Sequence, residues 1–308
     1  MSNPVITQSQ KRFEESLGAL FKQTADFTPN RKSVFFIKSS SDQGVIRNGG
    51  RNGARFAPQS LLSLFKKLNQ NAQTSQYTFC EAEVASLETE QNDFSKSQLI
   101  ESEKIKEIIH QNKNSFIYHI GGGHDHVYPL LKAYADKYKR IIVLNIDAHA
   151  DTRTDTNPHS GTPFRQFASE YSEEFYLYQL GLHSYANSLS TLSSLPKGEM
   201  KIVWRKELND QMIIQSLFQQ IQNKTNEQTA IIFSIDADAL LGSEVPGVSA
   251  VNHDGLTRNE LLKLWELYLK LPLSHAPIMG LYELNPIYDT LSMMSMRTVA
   301  SFLYEGLK

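Results

Sequence analysis

Seven short, almost uninterrupted apolar runs punctuate this chain: SVFFIK (33–38), SFIYHI (115–120), RIIVLNI (140–146), FYLYQLGL (175–182), KIVW (201–204), TAIIFSI (229–235) and PIMGLYEL (277–284). A strand with one wet face alternates polar and apolar residues, whereas near-continuous runs suit strands covered on both faces. Helical patterns lie between many of the runs. PQSLLSLFKKL spaces Leu61, Leu62, Phe65 and Leu68 at helical intervals. LTRNELLKLWELYLKL places Thr257 three residues ahead of Glu260, a capping box, and then sets Leu261, Leu262, Trp265 and Leu269 on one face. A further short strand, YTFCEAEV, is flanked by polar stretches at 69–76 and 88–98 that read as loops. This alternation predicts an α/β fold around a mainly parallel sheet. No repeat or sharp composition break divides the 308 residues, so 1–308 reads as one domain.

Composition excludes several function classes. The formal net charge is −2 and no basic stripe is present, which argues against nucleic acid or an anionic membrane surface as partner. The single cysteine, Cys80, rules out an internal disulfide and makes a reducing cytoplasm the expected setting. The opening residues MSNPVITQSQKRFEESLG have no apolar core or small-residue cleavage site, so no secretory signal is expected there. No apolar run approaches the length of a membrane span.

The chemistry falls just beyond four of the runs. SFIYHI leads into GGGHDH and His124; RIIVLNI into Asp147, His149 and Asp151; TAIIFSI into Asp236 and Asp238; PIMGLY into Glu283. Binding sites in open parallel sheets form at the carboxyl ends of strands. The spacing of Asp147, His149 and Asp151 at every second position predicts one shared face of an extended segment. Carboxylates and an imidazole brought together need a positive charge between them. Four Asp and two His suit two divalent cations bridged by carboxylates, with Mn²⁺ ahead of Zn²⁺ and Mg²⁺ behind both. Such a site welcomes a cationic amidinium or guanidinium substrate.

GGGHD, NIDAHADTR, SIDADAL and YELNPIYD, in this order, resemble the motifs of the arginase/agmatinase (ureohydrolase) family over nearly the whole chain. The resemblance implies a three-layer α/β/α sandwich with two Mn²⁺ per subunit. One ion would be held by His124, Asp147, Asp151 and Asp236, the other by Asp147, His149, Asp236 and Asp238, so that Asp147 and Asp236 bridge. It also implies a trimer or hexamer.

Three stretches are similar to the formimidoylglutamase branch: SSSDQGVIRNGGRNGARFAP (39–58), PHSGTPFRQ (158–166) and GLHSYANS (181–188). The implied reaction splits the amidine of N-formimidoyl-L-glutamate to formamide and L-glutamate, in histidine breakdown. Glu283 would orient the amidinium, Asp151 would take and pass on a proton, and Arg153 would grip a substrate carboxylate. His159 is a candidate proton shuttle. His126 reads as structural, as do Arg47 and Arg51. His183 stands where that branch often carries Gln. The competing expectations are an agmatinase or guanidino-acid hydrolase, and a non-catalytic member of the family.

Overall fold

The computed structural model describes residues 8–22, 32–86, 93–171 and 173–307. Eight strands form one sheet: β1 (Lys32–Ser40), β2 (Tyr77–Ser86), β3 (Phe116–Gly121), β4 (Arg140–Ile146), β5 (Glu174–Leu182), β6 (Glu199–Trp204), β7 (Thr229–Asp236) and β8 (Ile278–Tyr282). Their order is β2-β1-β3-β8-β7-β4-β5-β6, and every pairing is parallel. The helices are α1 (Gln8–Glu14), α2 (Gln43–Arg47), α3 (Ala57–Phe65), α4 (Phe94–Gln111), α5 (Val127–Ala135), α6 (Pro163–Glu170), α7 (Gln211–Lys224), α8 (Arg258–Leu269) and α9 (Met294–Glu305).

Two apolar cores explain the uninterrupted runs. Successive side chains of a strand point to opposite faces. Phe36, Leu144 and Phe233 therefore join the core that packs under α3, α7, α8 and α9. Phe35, Val143 and Ile232 join the core under α4, α5 and α6. The result is an α/β/α sandwich. Every residue of β7 is buried, as expected for a central strand covered on both sides. The capping box of α8 forms as read: Thr257 Oγ1 accepts the Glu260 N–H at 3.2 Å, and Glu260 Oε2 accepts the Thr257 N–H at 2.8 Å.

One loop expectation fails. Of the stretch 88–98, residues 88–92 lie outside the described residues, and Phe94 onward is the first turn of α4. Asp93 caps that helix by accepting the Lys96 N–H at 3.2 Å. The pattern was hidden because α4 turns Gln98, Glu101 and Ser102 inward beside Ile105. A polar inner face has no amphipathic signature.

The four strands that carry the polar clusters, β3, β8, β7 and β4, are adjacent in the sheet although they are scattered along the chain. Their ends are also flush. Ile120 pairs with Leu281, Asp236 with Tyr282, and Ile146 with Ile235. Neighbouring strands lie roughly 4.8 Å apart, so side chains leaving these four ends converge.

Candidate metal centre

His124 lies at the middle of the convergence, fully buried. Its Nδ1 is 2.9 Å from Asp151 Oδ2 and 3.2 Å from both Asp147 Oδ2 and Asp236 Oδ2. The GGG turn before it is a steric necessity. A Cβ on Gly122 would come within 1.8 Å of the Ser41 carbonyl oxygen, and one on Gly123 within 2.2 Å of the Asp125 carboxylate.

The shared extended face expected for Asp147, His149 and Asp151 is not what brings them together. Beyond β4 the chain bends. Asp147 Oδ1 accepts the His149 N–H at 2.7 Å, and Asp151 adopts a left-handed backbone with φ of 51°. Asp236 repeats the device, its Oδ1 accepting the Asp238 N–H at 2.8 Å. In each Asp-x-(His/Asp) turn one carboxylate oxygen fixes the backbone two residues on. The other oxygen is left facing His124. Glu283 also has a left-handed backbone, φ 64°, and its Oε1 accepts the His124 N–H at 3.1 Å. Non-glycine residues in this region cost about 1–3 kcal/mol each and cluster at functional sites.

Two groups of ligand atoms result. His124, Asp147, Asp151 and Asp236 form one; Asp147, His149 and Asp238 form the other. Asp147 is common to both, whereas Asp236 falls in the first alone. His149 Nδ1 lies 3.1 Å from Asp238 Oδ2. The electrostatics call for cations. Burial, then Asp236 and Asp151, push the Asp147 carboxyl well above its ordinary range. Burial and Asp238 push Asp236 up to about 6. Burial, then Asp236, raises Glu283 well above normal. Asp238 foremost draws His149 up to about 11, against its burial. Burial alone would depress His124, but its three carboxylate neighbours raise it well above normal. The donor set fits divalent ions: His124 Nδ1 and Asp238 Oδ1 are buried without a hydrogen-bond partner, and a cation among these carboxylates would take the place of the imidazole proton and engage both.

Polar residues that interrupt the apolar runs support this cluster, and the sequence reading passed over them. Ser234 Oγ lies 2.9 Å from His124 Nε2, which fixes the ring with Nδ1 toward the carboxylates. Asn145 Nδ2 donates to Asp147 Oδ2 at 3.2 Å and to Gln179 Oε1 at 2.9 Å, while Gln179 Nε2 donates to the Ala150 carbonyl at 2.5 Å. The available signal was a Ser, Asn or Gln inside an otherwise apolar strand. Such a group must find a partner.

A second buried network lies beneath the glycine turn. Glu101 accepts from His126 Nδ1 at 2.8 Å and from Ser39 Oγ at 2.6 Å. His119 bridges Ser39 Oγ (2.7 Å) and the Tyr282 hydroxyl (3.0 Å), and the Tyr282 ring stacks on His124 at 5.0 Å. Burial works to raise the Glu101 carboxyl, but His126 and His119 hold it down at about 2. Its stabilising contribution is therefore full above the ordinary 4.5 and is lost as pH falls through about 2. Glu101→Ala should cost about 3–5 kcal/mol by leaving buried histidine charge unpaired. Urea titrations at several pH values check this. Between pH 4.5 and 2 the wild type should lose stability more steeply than the variant. Parallel curves would remove Glu101 from the account.

The remaining candidates divide clearly. Arg153 is exposed on the wall of a cavity of about 540 Å³ whose floor includes His149, Asp151, Asp236, Asp238 and Glu283. His159 finds no support as a proton shuttle. Its Nε2 is 3.0 Å from Asp155 Oδ2, its Nδ1 accepts the Gly161 N–H at 3.0 Å, and it is absent from the cavity lining. His183 stacks on Tyr185 and takes a hydrogen bond from Asn252 Nδ2 at 3.2 Å, outside the cavity. Arg47 donates to the Pro158 carbonyl and lies over Phe94; Arg51 donates to the Ser249 carbonyl and lies over Tyr288. Neither lines the cavity.

An all-parallel α/β sandwich with a carboxylate–imidazole centre at the carboxyl edge of its sheet is the class defined so far. The chain belongs to the arginase family, whose model matches residues 36–307. A formimidoylglutamase of Photorhabdus laumondii is 28% identical over 301 residues, covering 94% of this chain and 92% of the relative. One from Staphylococcus haemolyticus is 30% identical over 265 residues, covering 84% and 81%. Among solved structures, Bacillus subtilis formimidoylglutamase superposes with a TM-score of 0.79 at 21% identity, covering 100% of this chain and 92% of that one. Trypanosoma cruzi formiminoglutamase with Mn²⁺ superposes with a TM-score of 0.77 at 23% identity, covering 95% and 97%. At these identities the structural likeness speaks for the fold.

Proposed function

We propose that the chain is a hydrolase of N-formimidoyl-L-glutamate, releasing formamide and L-glutamate. The observation that carries this reading is the charge asymmetry of the cavity. Its floor is a cluster of carboxylates, and Arg153 stands on its wall with no carboxylate partner among the described residues. The substrate has the complementary asymmetry, a cationic amidinium at one end and two carboxylates at the other. The relatives named formimidoylglutamase support the same reading.

Two Mn²⁺ ions are the proposed cofactors; His124, Asp147, Asp151 and Asp236 would hold one, and Asp147, His149 and Asp238, joined by Asp236, would hold the other. Bound divalent ions lower the pKa of water enough to supply hydroxide at neutral pH. The chain's own residues do the rest. Glu283 accepts hydrogen bonds from the amidinium and holds its carbon in line for attack. Asp151 is placed to take the remaining hydroxyl proton once the new C–O bond has formed and to deliver it to the departing nitrogen, which cannot leave unprotonated. Residues 1–308 act as one catalytic domain, consistent with a single sheet drawing strands from Lys32 to Tyr282. Among the described residues no helix is long and apolar enough to cross a membrane. We place the enzyme in the cytoplasm, in histidine breakdown, as a trimer or hexamer.

Guanidino-acid hydrolysis is the second reading, since Arg153 would serve a guanidino acid equally. A Mn²⁺-loaded preparation offered formimidoylglutamate, guanidinobutyrate, agmatine and arginine separates the two by whether formamide or urea appears. Arg153→Met should raise KM for formimidoylglutamate about tenfold to a hundredfold, the worth of one charge-assisted hydrogen bond. A substrate without carboxylates should be indifferent. An equal loss on both kinds of substrate, with a lowered Tm, would make Arg153 structural.

A further inference from the structure

Arg153 meets a neutral partner. Its Nη1 donates to Asn48 Oδ1 at 2.9 Å, and Asn48 Nδ2 donates in turn to Ser160 Oγ at 3.1 Å. Asn48 is the C-cap of α2, its N–H bonded to the Gly44 carbonyl at 3.1 Å. That helix is tied to the loop holding Ser160 by two more bonds: the Ser160 N–H to the Gly44 carbonyl at 3.1 Å, and Arg47 Nε to the Pro158 carbonyl at 2.9 Å. The same loop also seats Arg153. The Arg153 N–H donates to the Gly161 carbonyl at 2.9 Å, and a Cβ on Gly161 would lie 3.2 Å from Arg153 Cδ. The stem of the arginine thus rests where a side chain at 161 would crowd it. The acid on this rim is already engaged. Asp155, which lines the cavity with Arg153, has its Oδ2 3.0 Å from His159 Nε2.

An amide acceptor orients a guanidinium without cancelling its charge, whereas a carboxylate acceptor would do both. One bond to Asn48 also leaves most of the five N–H donors of the guanidinium for a ligand. From this arrangement we propose that Asn48, held by Ser160, is a positioning residue for specificity: it aims Arg153 into the cavity and, by being neutral, reserves that charge for the acidic end of the substrate. This deepens the proposed function and rests on it.

The test compares Asn48→Ala and Asn48→Asp with the wild type and with Arg153→Met, all loaded with Mn²⁺. Asn48→Ala should raise KM for formimidoylglutamate about threefold to tenfold with kcat nearly unchanged, because only the aim is lost. Asn48→Asp is nearly isosteric and should be worse still, about tenfold beyond Asn48→Ala, because it neutralises Arg153. In the Arg153→Met background neither change should have a further effect on KM. A residue that merely supports the loop would give Asn48→Asp the smaller loss of the two and would act additively with Arg153→Met. Either result overturns the assignment. Calorimetric binding of L-glutamate to the Mn²⁺-loaded proteins separates this failure from failure of the underlying reading. If the wild type does not bind L-glutamate, the acid-recognition reading falls and the role of Asn48 falls with it. If the wild type binds it and both Asn48 variants bind it equally well, Asn48 alone is wrong.

Discussion

Asp147→Ala should empty both halves of the metal centre and reduce hydrolysis by at least about 10³-fold, the scale on which an electrostatic element of the reaction site counts. Asp147 is the residue common to both groups of ligand atoms among the described residues. It is also tied into the backbone on one side and to Asn145 on the other, which fixes its carboxylate between the two groups. Metal analysis after dialysis provides the direct check. Melting gives a second readout. A ligand at 100 times its Kd stabilises by about 2.7 kcal/mol, so added Mn²⁺ should raise the Tm of the wild type and leave that of the variant nearly still. Full two-metal occupancy in Asp147→Ala would sink the shared role. Asp236→Ala is the informative companion. If Asp236 is the second bridge it should also lose both ions; if it serves only the group around His124, it should retain the ion held by His149 and Asp238.

Glu283→Gln should leave the metals and the fold in place and lower kcat/KM by about 10²- to 10³-fold. Truncating one partner of a buried, hydrogen-bonded charge pair costs roughly 2–5 kcal/mol. The substitution is nearly isosteric, and an amide oxygen can still accept the His124 N–H as Glu283 Oε1 does. What the amide lacks is the negative charge that balances an amidinium. Burial and the Asp236 carboxylate by themselves disfavour that charge. Cations beside it would restore it, so the expected loss applies to the Mn²⁺-loaded enzyme. Unchanged kcat/KM with full metal content would take Glu283 out of the reaction.

The central strands were readable from the sequence because burial on both faces leaves no choice of residue type: β4 and β7 are apolar almost throughout, β4 matches its run and β7 extends one residue past its own, to Asp236. Helix α8 was readable through its cap, but its buried stripe is Leu261, Leu264, Trp265 and Tyr268, and Leu262 and Leu269 of the expected face are only half-buried. Helix α4 was not, since its buried face carries Gln98, Glu101 and Ser102, and the partners of Gln98 and Glu101 lie elsewhere in the chain. The same cause hid the supports of the site. Nothing near Glu101 in sequence announces His126 or His119, and nothing near Ser234 announces His124.

Sequence by itself determined the chemistry of this protein. Carboxylates and imidazoles just beyond four apolar strands are costly unless cations join them, and that constraint acts on residue types and local spacing alone. It also determined the layered α/β architecture, through runs apolar enough to be covered twice. Tertiary structure decided what no local pattern carries. It set β3, β8, β7 and β4 side by side and flush, which turned separate clusters into one centre. It replaced the extended face of Asp147, His149 and Asp151 with a bend held by an aspartate oxygen and a left-handed residue. It withdrew His159 into its own loop and gave Arg153 an amide for a neighbour. The reason is physical: side-chain periodicity is fixed within an element, but the partners of a polar group are set by which elements the chain packs together.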